Sequence, residues 1–121
     1  MGKRSIVHIE IPVNALETDT KFYADVFGWE IVHVPEKNYT FYNTGNFEGG
    51  FMKVDEQVQP GDVMVYIGSE DIDADLKAIE AAGGKTIIPK TAIPGAGWFA
   101  WFTDPTGNKL ALYTDSENGS S

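Results

Sequence analysis

His8 and Glu10 stand two residues apart in the run IVHIEIPV, residues 6–13. In an extended strand that spacing puts both side chains on one face. An imidazole beside a carboxylate suits a general base with an orienting partner, or part of a metal site. It equally suits two polar residues that line a wet cavity and make ordinary hydrogen bonds. Other chemistry-bearing types are sparse. The 121 residues hold no cysteine, which removes disulfides, thiolate metal sites and cysteine nucleophiles. His33, within WEIVHV, reads as a solvated strand residue. Glu48 precedes Gly49 and Gly50 and reads first as a carboxylate exposed on a hairpin. No GxSxG or HExxH pattern is present, and the glycine-rich GNFEGG opens no helix that could cradle a phosphate.

Apolar and aromatic residues outnumber these polar candidates. Tyr42, Tyr66, Trp98, Phe99, Trp101 and Tyr113 all fall in strand-like runs. Alternation sends about half of such rings to a helix-packed core and half to the other face. Tyr42, Tyr66, Phe99 and Trp101, with Met52 and Met64 as deformable walls, are the expected lining of a cavity for a small organic molecule. The stretch PGAGWF reads either as a glycine-hinged lid or as a plain connection.

The elements that must position these residues repeat. A strand over 6–13 is followed by a helix placing Leu16, Phe22, Tyr23, Val26 and Phe27 on one face, with Thr18 or Asp19 as its cap and Gly28 as its stop. Three strands follow in WEIVHV, YTFYNT and GGFMKV, then a linker, EQVQPGD. VMVYIG begins the pattern again. A helix with Ile72, Leu76, Ile79 and Ala82 along one face stops at Gly83 and Gly84, and KTIIPK, WFAWFT and KLALYT complete it. Asp104-Pro105-Thr106-Gly107 fits a type I turn, and AIPGAG is an insertion peculiar to the second half. The expected fold is α+β: two βαβββ modules, residues 5–56 and 62–115 of one domain spanning 1–115, whose curved mixed sheets enclose a cavity. Residues 116–121 read as a flexible tail.

Nine Lys and Arg against eighteen Asp and Glu leave a formal charge of −9. Such a surface repels phosphate backbones and anionic lipid, so neither nucleic acid nor membrane is the expected partner. No apolar run reaches the ~20 residues of a membrane span. With cysteine absent, the cytoplasm is the default expectation.

The order of HIEIPV, FYADVFGW, GGFM, AAGGK and WFAWFTDPTGN resembles the vicinal-oxygen-chelate superfamily, the glyoxalase, bleomycin-resistance and dioxygenase group, over about residues 5–114. That resemblance implies paired βαβββ modules, frequent homodimers and, in many members, a divalent metal held by residues on the first and last strands of each module. His8 matches one such position, and Glu48 is the nearest carboxylate to a second. Val63 or Met64, and Ala111 in the cavity wall, occupy the other two and offer no ligand for a hard cation. The reading that follows is a glyoxalase-like protein that binds a small organic ligand between the modules without the full metal site, His8 and Glu10 being its catalytic candidates. The alternatives are a metal-dependent lyase, isomerase or dioxygenase using His8, Glu10 or Glu48, and a binding or sequestration protein with no chemistry.

Overall fold

A computed structural model describes residues 3–37 and 39–115; the tail expected over 116–121 lies outside them. The elements are β1 (Ile6–Val13), α1 (Leu16–Phe27), β2 (Glu30–Val34), a 3-10 turn (Pro35–Lys37), β3 (Tyr39–Asn43), β4 (Glu48–Lys53), β5 (Met64–Gly68), α2 (Ile72–Ala81), β6 (Lys85–Ile93), β7 (Gly97–Thr103) and β8 (Lys109–Thr114). The fold is α+β, with βαβββ written twice. Strand order repeats too: β1-β4-β3-β2 in one module and β5-β8-β7-β6 in the other, with β1 parallel to β4, β5 parallel to β8 and the remaining pairs within each module antiparallel.

The chain divides into two compact units, His8–Val63 and Met1–Val7 with Met64–Ser121. The division falls inside β1 and not ahead of it, because residues 4–7 are tied to the second unit. Gly68 N–H donates to the Ser5 carbonyl at 2.9 Å, and Arg4 grips Asp75 through two bonds of 2.6 and 3.0 Å. Burial alone would raise the Asp75 carboxyl. Hydrogen bonds from Arg4 and Ser69, with the Arg4 charge, outweigh that and hold it below the ordinary carboxylate range.

In the His8–Val63 unit, Val13, Tyr42 and Phe51 form the buried centre on the helix side, and Leu16, Tyr23, Trp29 and Ile31 pack on it. Thr18 and Asp19 do not begin α1. The helix starts at Leu16 after Ala15, which has no capping side chain, and Asp19 caps from inside the first turn. Its carboxylate accepts from the backbone of Asn14 and Ala15 at 3.1 and 3.0 Å, and suits the positive end of the helix. The inward stripe is Leu16, Thr20 and Tyr23, whereas Phe22, Val26 and Phe27 are exposed. At 100° per residue, Phe22 and Val26 sit roughly 60–100° off the line through Tyr23. Gly28 ends α1 at φ 72°.

In the second unit, Ile72 and Leu76 of α2 pack on Ala100, Phe102 and Leu112, joined by Ile79. Asp71 caps α2 by accepting from Ala74 N–H at 3.1 Å. Ala82, expected on the packed face, is instead the exposed residue that ends the helix. PGAGWF forms a turn and the start of a strand. β6 extends to Ile93, the Ala96 N–H closes a tight turn on the Ile93 carbonyl at 2.8 Å, and Trp98 and Phe99 already belong to β7. The inserted residues lengthen a hairpin. Asp104 makes the expected turn, its carboxylate accepting from the backbone of Thr106, Gly107 and Asn108.

Tyr42 is 2% exposed, and its hydroxyl donates to the Ile9 carbonyl at 2.9 Å. Burial, then the Glu10 charge, pushes its phenol up to about 12. A folded value above the unfolded one stabilises the protein below pH ~10 and loses that contribution as the pH climbs toward 12. Chemical unfolding between pH 9 and 12 should therefore show wild-type stability falling by about 2–3 kcal/mol more than that of Tyr42→Phe.

Candidate functional site

β1 alternates cleanly. Ile9, Ile11 and Val13 face α1, and His8 and Glu10 take the helix-free face. Glu10 is only 9% exposed. It pairs with Gly50 of β4, Gly50 pairs with Phe41 of β3, and Tyr39 stands two residues before Phe41. Tyr39 completes the group that His8 and Glu10 begin. Its hydroxyl donates to Glu10 Oε2 and lies 3.0 Å from His8 Nε2, while His8 Nε2 and Glu10 Oε2 are 3.7 Å apart. The single phenolic proton is committed to the carboxylate, so the hydroxyl oxygen accepts from His8, which places a proton on Nε2. A buried carboxylate, a phenol and an imidazole are thus linked in one hydrogen-bonded chain, an arrangement of the kind general acid–base chemistry uses.

Glycine makes this chain fit. A methyl group at Gly50 would collide with the Tyr39 hydroxyl and come within 2.6 Å of its ring Cε2. One at Gly49 would meet the Tyr42 hydroxyl and lie 2.6 Å from the Ile9 carbonyl oxygen. Nothing in the spacing of His8 and Glu10 points to Tyr39. The available signal was the pair of glycines inside a strand, which marks a place where a neighbour crosses closely.

The same face of β2, β3 and β4 carries a hollow of ≈ 280 Å³ bordered by Glu30, Val32, Phe41, Tyr42, Asn43 and Glu48. Tyr42 borders it, yet its ring is stacked on Trp29 at 4.6 Å in the helix-side core, because residue 42 has the parity of buried Thr40. Met52 shares the Glu10 face, through its pairing with Pro12, and is exposed. The other expected lining residues sit in the second unit. There Met64, Tyr66 and Ala111 make a buried cluster with Phe99, Trp101 and Tyr113 packed against it, and the buried indole N–H of Trp101 has no hydrogen-bond partner among the described residues.

The donors among the described residues do not fit the divalent metal that many members of the resembled superfamily hold. A catalytic site of that kind offers three protein ligands, and among the described residues no three His, Asp or Glu side chains come together. Glu48 is held from the β3 side by the Asn43 amide at 3.2 Å. Met64 and Ala111 contribute a thioether and a methyl group to an apolar cluster.

The crossing of β4 by Tyr39 is open to a double-mutant cycle. Gly50→Ala should cost about 1–3 kcal/mol in urea unfolding, as overpacking does. In a Tyr39→Ala background most of that cost should vanish; an equal cost in both backgrounds would mean that the ring does not impose the glycine.

Residues 5–112 match the Glyoxalase/Bleomycin resistance protein/Dioxygenase superfamily. A glyoxylase-like domain-containing protein of Didymella fabae is 34% identical over 116 residues, covering 88% of this chain and 90% of that protein. The anthracycline biosynthesis protein DnrV of Streptomyces peucetius is 27% identical over 110 residues, with 76% of this chain aligned to only 40% of that longer protein. Among solved structures, a hypothetical protein from Bacillus halodurans superimposes with a TM-score of 0.71 at 14% identity, covering 94% of this chain and 96% of that one. Methylmalonyl-CoA epimerase of Mycobacterium tuberculosis gives 0.66 at 13%, covering 91% and 87%. At such identities these structures speak for the fold alone. The match across nearly the whole chain, the 34% relative and the doubled βαβββ topology agree: this chain belongs to the Glyoxalase/Bleomycin resistance protein/Dioxygenase superfamily.

Proposed function

We propose that this protein binds a small organic molecule on the helix-free face of the His8–Val63 unit and moves a proton on it through Glu10, Tyr39 and His8, without the superfamily's full metal set. The observation that carries this reading is the Glu10–Tyr39–His8 chain itself. A carboxylate that is 9% exposed and bonded to a phenol is held in one orientation, as a group that must meet a ligand's proton needs to be. The neighbouring hollow, with exposed Val32 and Phe41 at its border, supplies apolar surface for the body of a ligand. A relative named for anthracycline biosynthesis is consistent with chemistry on small organic molecules.

Proton transfer and bare binding separate in one experiment. Protein stripped with EDTA is screened by thermal unfolding against small carbonyl compounds; a ligand at a hundredfold excess over its Kd stabilises the fold by about 2.7 kcal/mol. For each ligand found, exchange of its acidic C–H for deuterium in D2O is followed by NMR. The expected result is catalysed exchange that falls by roughly 10²–10⁴ in Glu10→Gln, with binding retained. Binding with no exchange would leave a sequestration protein. A saturable shift with Zn²⁺, Ni²⁺, Mn²⁺ or Fe²⁺ that His8→Ala abolishes would replace the proposal with the metal-dependent reading.

A further inference from the structure

The hollow on β2, β3 and β4 has a regular construction. Glu30, Asn43 and Glu48 stand side by side across the three strands, and the next row on the same face is Val32, Phe41 and Gly50. Strands lie about 4.8 Å apart, so the two carboxylates rise from backbones roughly 10 Å apart on either side of one amide. Asn43 is occupied. Its amide donates to Glu48 at 3.2 Å, and its carbonyl accepts from the Gly45 backbone at 2.7 Å. Among the described residues, neither Glu30 nor Glu48 forms an ion pair with a lysine, arginine or histidine. Like charges on one face of a sheet repel, and among the described residues no ion pair offsets these two.

The apolar row beside the carboxylates carries an exposed aromatic ring. Phe41 is 37% exposed and Val32 45%. Gly50 puts no side chain beside Phe41 on the β1 side, while Tyr39 contacts the ring edge-on at 4.7 Å between centroids. An aromatic surface next to unneutralised carboxylates attracts a cation and disfavours an anion. The formal charge of −9 adds a long-range field of the same sign.

We propose that this hollow takes a small organic cation, a protonated or quaternary amine with an apolar body, whose positive head sits between Glu30 and Glu48 against Phe41. This deepens the binding reading of the same face and rests on it. It adds the charge of the ligand and assigns no step to the Glu10–Tyr39–His8 chain.

The test is an NMR titration of the whole chain at neutral pH with three matched probes: benzylammonium, benzyl alcohol and benzoate. Benzylammonium should shift the backbone amides of β2, β3 and β4 and bind about tenfold more tightly than benzyl alcohol, benzoate being weakest. Raising the salt should weaken the ammonium alone. Glu30→Gln with Glu48→Gln, both exposed and so compatible with the fold, should bring ammonium and alcohol to equal affinity, and Phe41→Leu should weaken the ammonium more than the alcohol. Equal binding of alcohol and ammonium by the wild type would overturn the cation assignment while leaving the small-ligand reading intact. An ammonium preference that survives the double substitution would place the cation elsewhere and overturn it as well, as would the absence of any shift on these strands. The deuterium-exchange experiment does not read this charge preference, so the two proposals fail separately.

Discussion

Two bare positions on one strand govern the His8–Val63 unit. Gly49 and Gly50 leave β4 without side chains on both of its faces at the point where two tyrosines from β3 cross it. On the helix side Tyr42 reaches over Gly49 to the backbone of β1 at Ile9. On the other face Tyr39 reaches over Gly50 to Glu10 and His8. One phenol therefore laces β3 to β1 in the core and another does so at the candidate site. A methyl group at either glycine would occupy volume that a ring already fills, and close-packed interiors yield little to such an intrusion.

The two βαβββ copies keep one topology but diverge in chemistry. Glu10 pairs with Gly50 in the first, and Tyr66 pairs with Ala111 at the matching place in the second. The first copy holds a carboxylate, a phenol and an imidazole there, whereas the second holds Met64, Tyr66 and Ala111 in a buried cluster with aromatic neighbours. A metal site that draws donors from both copies of a duplicated module needs them retained in both. Here the second copy supplies bulk and apolar surface, and the polar chemistry is concentrated in the first.

Charge follows a similar division of labour. Asp19, Asp71, Asp75 and Asp104 are committed to the fold, capping helices, closing a turn or gripping Arg4. Among the described residues Glu30 and Glu48 have no such ion-pair partner, and they stand beside exposed apolar surface. A carboxylate buried in backbone hydrogen bonds is structural. A pair without an ion-pair partner among the described residues, beside an aromatic ring, is the basis of the cation proposal.

The amino-acid sequence alone determined the element order, the repeat, the helix stops at Gly28 and Gly83 and the turn at Asp104, because each depends on neighbours within a few residues or on a period of two or 3.6. It also placed His8 and Glu10 on one face, since alternation along a single strand requires no partner. It misplaced the start of α1, where Asp19 caps from within the helix, and it assigned Phe22, Val26 and Phe27 to a packed face because apolar character does not say how wide a stripe the sheet covers. The ring of Tyr42 went to the helix side and Tyr39 to the site only once β3 was registered against β4. A one-residue change in that pairing would exchange the faces of both. Only the tertiary structure could decide this, because Tyr39 meets Glu10 and His8 through side-chain bonds that span 29 and 31 residues and depend on β1 pairing with β4, and no local pattern in the chain encodes that pairing.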